Sequence, residues 1–444
     1  MKKMLIALLT IFFMFTFETC DAKTGYLKDL NVLVNGSEAS ELKDDNYNTH
    51  ISIGTTDTIK VSSSIPITGL YIVYNIDSAI GDIYYNGSHI MIGDKGFLHE
   101  YINIASTREL EITYKNGADL KEIYAFAGSI PDWVQKWNPP YEDADLLLFS
   151  AHSDDEHLYF AGLIPTMVNA GKKVEVVYVV DHSNNPIRLD ERLDGLWTAG
   201  IKNYPLLGNV PDKLSSSLGA AIANLSMGNL TTDDVIKFEV DAIRRFKPEV
   251  VVTHDENGEY GHGQHRLTTY ALKEALKVVD DKNYVTDYEP FMPYKAYIHL
   301  YGQNKITMDY DTPLAYFDGK TAYEVSGDAF AMHVSQLKSW FVKWYYGENY
   351  SYKTMKEIKT YNPMYYGLYY SAVGYENVNN DMFYNIPEPE VLDEVVINEV
   401  EIQKRSADEK RNGNLYGTAY MIGVYIIEAL IIGICATAII KGRG

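Results

Sequence analysis

The stretch Asp145-Leu-Leu-Leu-Phe-Ser-Ala-His-Ser-Asp-Asp-Glu156 decides the fold expected for this chain. It begins with a continuous apolar run, which is typical of a buried strand, and it ends in a histidine and a group of acidic residues. Further along, Pro248-Glu-Val-Val-Val-Thr-His254 repeats the strand pattern, and Gly258-Glu-Tyr-Gly-His-Gly-Gln-His265 follows it. Because an α/β fold gathers functional side chains where its strands hand over to helices, the two segments predict one shared site.

The segments around these motifs alternate between strand-like and helix-like patterns. Strands are expected at 145–151, 174–180 and 248–253, and helices near 156–171, near 189–202, near 232–246 and from His265 onward. Alternation of this kind predicts the α/β class, with a mostly parallel sheet and helical crossovers. We assign residues 144–386 to this domain.

Residues 23–130 show a different, all-β pattern. Turn clusters such as Asn86-Gly87 and Asn116-Gly117 separate short β-branched runs, which predicts a β-sandwich. The layout resembles the discoidin or galactose-binding type in three segments, Leu42-Lys-Asp-Asp-Asn46, Leu70-Tyr-Ile-Val-Tyr74 and Leu120-Lys-Glu-Ile-Tyr-Ala-Phe126. Such a domain would either bind sugar or act as a spacer, and residues 131–143 would link it to the α/β domain.

Both ends of the chain carry membrane-targeting patterns. Residues 1–22 are predicted to be a secretory signal peptide or, alternatively, an uncleaved signal anchor. Residues 387–418 are predicted to be a polar stalk, residues 419–440 a transmembrane helix, and residues 441–444 a cytoplasmic tail. The chain is therefore expected in the cell membrane as a single-pass protein with its body outside. A small-xxx-small spacing in the span favours weak self-association, and a monomeric anchor is the alternative.

Composition limits the partners and the chemistry of this protein. The formal net charge of −21 argues against a nucleic-acid partner, because phosphate binding needs a basic surface. The two cysteines, Cys20 and Cys435, fall in the predicted signal and membrane segments. The body of the protein therefore has neither a disulfide framework nor a thiolate nucleophile.

The residue types of the two motifs are those that bind a divalent metal. His152 and Asp155 lie close together on one loop, His265 is the best candidate for a third ligand, and His262 precedes it. Asp154, beside a ligand, could accept a proton from an attacking water. The acidic run could instead only cap a helix, but two matched clusters after two strands favour a site. Zinc fits this donor set, as do iron(II) and cobalt.

With these motifs, residues 144–385 resemble the PIG-L/LmbE-like family of N-acetylglucosaminyl deacetylases. The family motif Ala-His-Pro-Asp-Asp-Glu corresponds to Ala151-His-Ser-Asp-Asp-Glu156, and Gly-His-Pro-Asp-His corresponds to Gly261-His-Gly-Gln-His265. The resemblance implies a Rossmann-like fold and a zinc-dependent hydrolase. It also implies that His152, Asp155 and His265 bind the metal and that Asp154 is the general base. His262 would be an imidazolium that supports the transition state or protonates the leaving amine, and Tyr260 would help to polarise the carbonyl group.

The same resemblance implies two further contacts and shows two departures. Arg188, in Arg188-Leu-Asp-Glu191, matches a substrate contact of the family, although an ion pair with Glu191 would explain it equally well. His333 resembles a late family segment near the pocket. Ser153 replaces the proline of the first motif, and Gly263-Gln264 replaces the Pro-Asp of the second. A carboxylate that would tune His262 is therefore either missing or supplied by another residue, which weakens the proton-donor role of His262.

These observations predict an exported, membrane-tethered, metal-dependent deacetylase. Its substrate would be an N-acetylglucosamine-type sugar in a surface glycan or glycoconjugate. Two alternatives stay open at this point. An amidase acting on another amino-sugar conjugate would release a larger acid than acetate, and a catalytically silent carbohydrate-binding surface protein would bind glycan without hydrolysing it.

Overall fold

The computed structural model of the protein describes residues 25–387. The predicted signal peptide, transmembrane helix and cytoplasmic tail lie outside these residues, as does nearly all of the predicted stalk. Within residues 25–387, no helix is both long enough and apolar enough to cross a membrane. The described chain up to Asn385 belongs to one compact unit, and this unit contains two sheets.

The first sheet has eight strands, each of which pairs with its neighbours in the antiparallel sense. They are β1 (Asn31–Val34), β2 (Ser37–Glu38), β3 (Ile51–Ile53), β4 (Ile59–Tyr74), β5 (Gly81–Tyr85), β6 (Ser88–Ile92), β7 (His99–Tyr114) and β8 (Ala118–Phe126). The strand order is β2-β1-β4-β7-β5-β6, while β8 pairs with β4 and β3. A 3-10 turn at Ser40–Lys43 lies between β2 and β3.

The long strand β4 connects two parts of this sheet. Pro66 lies within β4, and the register with β7 shifts between Ser62 and Ile67, because proline cannot donate a hydrogen bond to a ladder. Before the shift β4 pairs with β1, and after it β4 pairs with β8. The region is thus all-β, whereas its likeness to a discoidin-type sandwich is not confirmed and stays a prediction.

The second sheet has seven strands and holds the sequence motifs. They are β9 (Leu146–Ser150), β10 (Val174–Asp181), β11 (Leu206–Pro211), β12 (Val250–Thr253), β13 (Lys295–His299), β14 (Lys305–Thr307) and β15 (Tyr365–Ser371). The strand order is β11-β10-β9-β12-β13-β15-β14. The pairs from β11 to β13 are parallel, whereas β15 runs antiparallel to both β13 and β14.

The predicted fold class is wrong and is corrected in two respects. The sheet is mixed, not Rossmann-like and mostly parallel throughout, because β15 pairs in the antiparallel sense. The strand–helix alternation in the sequence ends near residue 290, and an antiparallel strand beyond that point needs no helical crossover. The predicted C-terminal transmembrane helix, at 419–440, lies outside the described residues, and the described fold gives no support for a membrane span.

Eight helices occur in the described residues beside the second sheet. They are α1 (Asp155–Leu158), α2 (Leu163–Asn169), α3 (Ile187–Thr198), α4 (Leu218–Asn224), α5 (Thr232–Phe246), α6 (Gly263–Ala275), α7 (Ala322–Phe330) and α8 (Val342–Tyr346). Helix α5 shows why they form: Thr231 and Asp234 make a capping box at its start, and Val240, Ile243 and Phe246 are fully buried. Each such side chain contributes roughly 1.5–3 kcal/mol through burial.

A buried, charged contact joins the first sheet to helix α3 beside the second sheet. His99 of β7 and Lys121 of β8 both contact Asp190 of α3, with His99 Nε2 2.9 Å from Asp190 Oδ1 and Lys121 Nζ donating to Asp190 Oδ2. None of these three side chains is more than 1% exposed. In the predicted linker, Trp137 is buried and packs edge-on against Tyr204. The all-β region and the α/β region therefore share an interior, and the domain bounds given above stay predictions.

Candidate metal centre

Two loops at one edge of the second sheet bring the sequence motifs together. Strands β9 and β12 are parallel neighbours, with Leu146 opposite Val250, so both strands end at the same edge. After β9 the chain enters α1, and after β12 it passes through a 3-10 turn at Glu259–Gly261 into α6. The two loops therefore lie side by side, where parallel α/β sheets place their ligands.

Asp155 lies at the middle of this cluster. Its Oδ2 atom is 3.0 Å from His152 Nδ1, 3.3 Å from His265 Nε2 and 3.5 Å from His254 Nε2. All four side chains are buried. Burial alone would raise the pKa of Asp155, but His265 and His152 outweigh it and hold that pKa well below its ordinary value. The carboxylate is therefore ionised and suited to binding a cation.

Glu259 determines which of two stacked imidazoles can serve as a ligand. Its Oε2 accepts hydrogen bonds from His265 Nδ1 at 2.7 Å and from His254 Nδ1 at 3.0 Å. His254 Nε2 is already occupied, because it accepts the N–H of Ala151 at 2.9 Å. His265 Nε2 has no hydrogen-bond partner within residues 25–387 and faces Asp155. A carboxylate that holds a ligand histidine in one tautomer is usual around metals, so His265 is available and His254 supports it.

Gln264 fixes the orientation of His152. The Gln264 side-chain amide donates to the Pro211 carbonyl at 2.8 Å, which turns its Oε1 towards His152 Nε2 at 2.9 Å. Because an amide oxygen only accepts, His152 Nε2 must carry the proton. The lone pair of His152 is then at Nδ1, the atom that faces Asp155. Gln264, which stands where the family motif has an aspartate, thus orients the imidazole of His152.

His262 lies against the same cluster but differs in its hydrogen bonding. Its ring centroid is 4.7 Å from that of His152 and 4.5 Å from that of His265. Its Nδ1 atom accepts the backbone N–H of Gln264, as the cap of α6, so the proton is on Nε2. Burial, followed by the neighbouring His152 and His265, lowers the pKa of His262 to about 2. A ring with this pKa is neutral and offers an N–H donor, and the imidazolium role that the resemblance implies stays a prediction.

The donor atoms of this cluster suit a divalent metal. His152 Nδ1, Asp155 Oδ2 and His265 Nε2 provide two imidazoles and one carboxylate, a set that zinc and similar ions accept while keeping a position open. The strongest indication of a bound ion is His265 Nε2, a fully buried atom without a hydrogen-bond partner within residues 25–387. The structure thus brings the three predicted ligands together, while their role in binding, and the identity of the metal, stay predictions.

Asp154 lies beside the ligands in a strained turn. Its φ of 113° falls in the left-handed region, which is costly for a residue other than glycine. Arg188 Nη2 contacts Asp154 Oδ1 at 3.0 Å and also donates to the Ser153 carbonyl. Burial raises the pKa of Asp154 to about 7, against the opposing effect of Arg188. A carboxylate with a pKa near neutrality is suited to accept and return a proton.

The two predicted substrate contacts have different positions. Arg188 reaches the cluster through Asp154, and the predicted ion pair with Glu191 is not seen, because Glu191 instead accepts hydrogen bonds from Ser335. His333 is fully buried behind the catalytic loop, next to His157. The structure therefore does not bring His333 to a position from which it could contact a substrate.

Tyr260 joins the cluster to an aromatic surface. Its ring centroid is 5.4 Å from that of His262, on the metal side. On the other side it is 5.5 Å from Trp340 and 6.2 Å from Trp344, and Phe341 stacks nearly parallel to it. Trp340 is 60% exposed, so part of this aromatic group, which we call the aromatic rim, faces solvent.

Sequence reasoning missed the supporting residues of this centre. Glu259 also accepts a hydrogen bond from His299 Nδ1 at 2.6 Å, so one carboxylate contacts three imidazoles. His299 is the last residue of β13, the strand beside β12. Its position at the end of an apolar run is the sequence feature from which its place near the site could have been predicted. Burial would raise the pKa of Glu259, but its imidazole partners, His254 first, lower it well below the ordinary value.

Replacing Gln264 tests this support directly. In Gln264→Leu the hydrogen bond that places the proton of His152 on Nε2 is lost, so we expect metal affinity to fall about 10- to 100-fold. Competition with a chromophoric chelator measures this change. Lys273→Leu, on the exposed side of the same helix, is the control and should leave affinity unchanged. Equal affinity of Gln264→Leu and the unaltered protein would contradict the role of Gln264.

Comparisons with known proteins match the same part of the chain. Residues 147–276 match the family described as PIG-L, GlcNAc-PI de-N-acetylase. One relative is a protein of Saccharopolyspora erythraea named 1D-myo-inositol 2-acetamido-2-deoxy-alpha-D-glucopyranoside deacetylase 2. It is 39% identical over an alignment of 173 residues, and the match covers 34% of this chain and 63% of that protein. A protein of Geodermatophilus obscurus with the same activity in its name is 26% identical over 157 residues, or 30% of this chain and 52% of its own.

Solved structures show a weaker similarity. The N,N'-diacetylchitobiose deacetylase of Pyrococcus horikoshii is 18% identical with a TM-score of 0.38, covering 52% of this chain and 85% of its own. The chain spans about half the length of the first curated relatives it matches. The matched segment, 147–276, contains both sequence motifs and all three predicted ligands. Residues 147–276 are therefore similar to the PIG-L family and to curated sugar deacetylases.

Proposed function

We propose that this protein is a metal-dependent hydrolase that removes the acetyl group from an N-acetylated amino sugar. The observation that carries the proposal is the convergence of His152 Nδ1, Asp155 Oδ2 and His265 Nε2 beside the carboxyl group of Asp154. A metal-ligand set with an adjacent proton acceptor is what hydrolysis of an unactivated amide requires. The names of the relatives, all N-acetyl sugar deacetylases, support the choice of the acetamido group.

The three ligands would hold a divalent ion that, when bound, polarises the acetyl carbonyl and makes water a better nucleophile. Asp155 supplies the negative charge of the ligand set. Glu259 keeps His265, and Gln264 keeps His152, in the tautomer whose lone pair faces the Asp155 carboxylate. Burial of all these groups excludes bulk water, which strengthens each electrostatic contact.

Asp154 carries the proton through the reaction. It accepts a proton from the water that attacks the acetyl carbon, and it returns that proton to the sugar nitrogen when the C–N bond breaks, so that acetate and the free amine result. Arg188 holds the Asp154 carboxylate in place through its contact with Oδ1. Proton return by Asp154 follows from the neutral state of the other candidate donor, His262, whose Nδ1 is occupied by the Gln264 N–H.

His262 and Tyr260 would stabilise the charge that develops on the carbonyl oxygen. The His262 Nε2–H is a hydrogen-bond donor at the edge of the ligand cluster, and the Tyr260 ring is adjacent to it. Donors that are fixed before the reaction are effective because no reorganisation is needed as charge appears. Burial raises the pKa of Tyr260, so its hydroxyl keeps its proton and can donate it in a hydrogen bond.

The location and the natural substrate are part of the proposal. We propose an exported enzyme acting on an N-acetylglucosamine-type glycan or glycoconjugate, supported by the charged and apolar signal pattern of residues 1–22. An amidase acting on another amino-sugar conjugate is the second candidate. The buried position of the centre and its intact set of ligands weigh against a silent binding protein.

The aromatic rim predicts a contact with sugar beyond the reacting residue. Trp340 presents an exposed indole next to Tyr260, and aromatic faces of this kind pack against the apolar faces of sugar rings. In Trp340→Ala we expect KM for a chitooligosaccharide to rise about tenfold, equivalent to about 1.4 kcal/mol, with kcat nearly unchanged. Val334→Ala, also exposed in the preceding segment, is the control. Equal KM values for the two variants would remove the rim from substrate binding.

Acetate release tests the proposed function. The full chain would be incubated with N-acetylglucosamine, chitooligosaccharides and N-acetylglucosaminyl conjugates, with and without a chelator and with added zinc. Release of acetate that stops with chelator and returns with metal is the expected result. Release of a larger acid would establish the conjugate amidase, and glycan binding without any acid would overturn the hydrolase.

A further inference from the structure

A second group of metal-ligand side chains lies behind the catalytic loop. Glu156 and His157 belong to α1, directly after Asp155, and His333 follows α7. Glu156 is 1% exposed and both histidines are fully buried. The mechanism proposed above uses none of these three side chains.

The distances within this group fit a bound ion better than hydrogen bonds. Glu156 Oε1 is 3.4 Å from His157 Nε2 and 3.7 Å from His333 Nε2. One donor atom from each residue lies within 4.8 Å of the others. A tetrahedral site with metal–ligand bonds of about 2.1 Å separates its ligand atoms by roughly 3.4 Å, because each pair spans the edge of a tetrahedron. The observed separations are close to that edge.

The ring nitrogens of this group have no hydrogen-bond partners. Within residues 25–387, both ring nitrogens of His157 and of His333 make no hydrogen bond, and Glu156 Oε1 makes none of normal geometry, with the Tyr178 hydroxyl beside that carboxylate. Buried polar atoms without a partner are costly, and most of them are satisfied by protein, water or an ion. Converging side chains with unpaired ring nitrogens therefore indicate a missing ligand at this place, and a carboxylate with two imidazoles is the donor chemistry of a borderline divalent metal.

Gly195 allows the two imidazoles of this group to approach the helix backbone closely. It lies within α3, where a side chain at this position would place a Cβ atom 2.7 Å from His333 Nε2 and 2.8 Å from His157 Nε2. Both Nε2 atoms thus lie so close to the backbone at Gly195 that a methyl group there would displace the rings. Glycine in the middle of a helix is less stable than alanine, and the close approach of the two imidazoles is the local reason for its presence.

We propose that Glu156, His157 and His333 form a second, buried site for a divalent metal ion of the zinc type. Glu156 links this site to the first, because its other oxygen, Oε2, accepts the backbone N–H of Asp154 at 2.9 Å. An ion held by Glu156 fixes the strained turn that presents Asp154 to the reaction. The second ion is thus structural, and it positions the catalytic loop without contacting the substrate.

Metal content tests the second site independently of turnover. The full chain would be loaded with zinc, and gel filtration would remove the excess ion. Elemental mass spectrometry and native mass spectrometry would then measure the number of zinc ions per chain. We expect two ions in the unaltered protein and one each in His333→Gln, Gly195→Ala and His265→Gln. His50→Gln, which changes an exposed histidine, should keep two.

The pattern among the variants decides the outcome. Melting curves would show whether His333→Gln folds. If it does not, Gly195→Ala still tests the site, because it removes no ligand and adds only one methyl group. One ion in the unaltered protein and none in His265→Gln would overturn the second site, whatever the acetate assay shows. Two ions in the unaltered protein and in Gly195→Ala would also overturn it, since the added methyl group must displace the two imidazole nitrogens that would hold the ion.

Discussion

Asp154→Asn is expected to lower kcat by about 10²- to 10⁴-fold, the range lost when a positioned proton-transfer group is removed. Asparagine has nearly the same shape, and its side-chain oxygen can still accept the hydrogen bond from Arg188 that holds residue 154 in place. It cannot take a proton from water, so the chemical step fails while the architecture remains. Steady-state kinetics of acetate release measures the effect, and zinc content per chain should match that of the unaltered protein.

Asp212→Asn is the matched control for this experiment. Asp212 also faces Arg188, with Oδ2 3.6 Å from Nη1, but its partly exposed carboxylate is not in hydrogen-bonding contact with the ligand cluster. We therefore expect a loss of less than about tenfold, equivalent to about 1.4 kcal/mol. Similar losses in both variants would show that the charge around Arg188 matters and that Asp154 has no special role. Loss of metal from Asp154→Asn would make it a ligand.

Lys121→Met should reduce the free energy of unfolding by about 3–5 kcal/mol, the cost of leaving a buried charge without its partner. Lys121 and Asp190 are each 1% exposed, and a direct hydrogen bond between them joins the first sheet to helix α3. Methionine has a similar length and flexibility, so the lost charge, not lost volume, dominates the effect. Chemical denaturation of the full chain measures the change, with the slope of the transition checked for two-state behaviour.

Lys60→Met is the control for the buried ion pair. Lys60 contacts Glu109 at 2.7 Å on the same sheet, but the two side chains are 39% and 56% exposed, so the expected loss is below about 1 kcal/mol. A double variant, Lys121→Met with Asp190→Leu, should recover most of the stability, because no buried charge is left unpaired. A small effect of Lys121→Met, equal to that of Lys60→Met, would contradict a shared interior for the two sheets.

The buried contact also bears on the role of the all-β region. The backbone N–H of Leu98 donates a hydrogen bond of 3.2 Å to the hydroxyl oxygen of Tyr204, which belongs to the α/β part, and the Tyr204 ring stacks on Phe97 at 4.8 Å. Asp190, bound by His99 and Lys121, lies in α3, the same helix as Arg188. The all-β region therefore stabilises the helix that holds Asp154, which gives it a structural role whether or not it binds sugar.

Much of the candidate site could be predicted from the sequence because its parts are local. A strand that ends in His152 to Glu156, and a second that leads to His262 and His265, fix both loops by the ordinary rules of strand and helix succession. Parallel pairing of neighbouring strands then brings the loops to one edge. The antiparallel β15 was not predictable in this way, because an aromatic, Tyr-rich segment gives no signal for the direction of its pairing.

The residues alone showed which imidazoles and carboxylates follow which strands, and that no cysteine occurs within residues 25–387. Only the tertiary structure decided what each donor can do. Glu259 and Gln264 set the tautomers of His265 and His152, and the N–H of Ala151 occupies the lone pair of His254. The physical reason is that an imidazole has one lone pair when neutral, and whichever neighbour claims a ring nitrogen decides whether the other can bind a metal. Those neighbours come from distant parts of the chain.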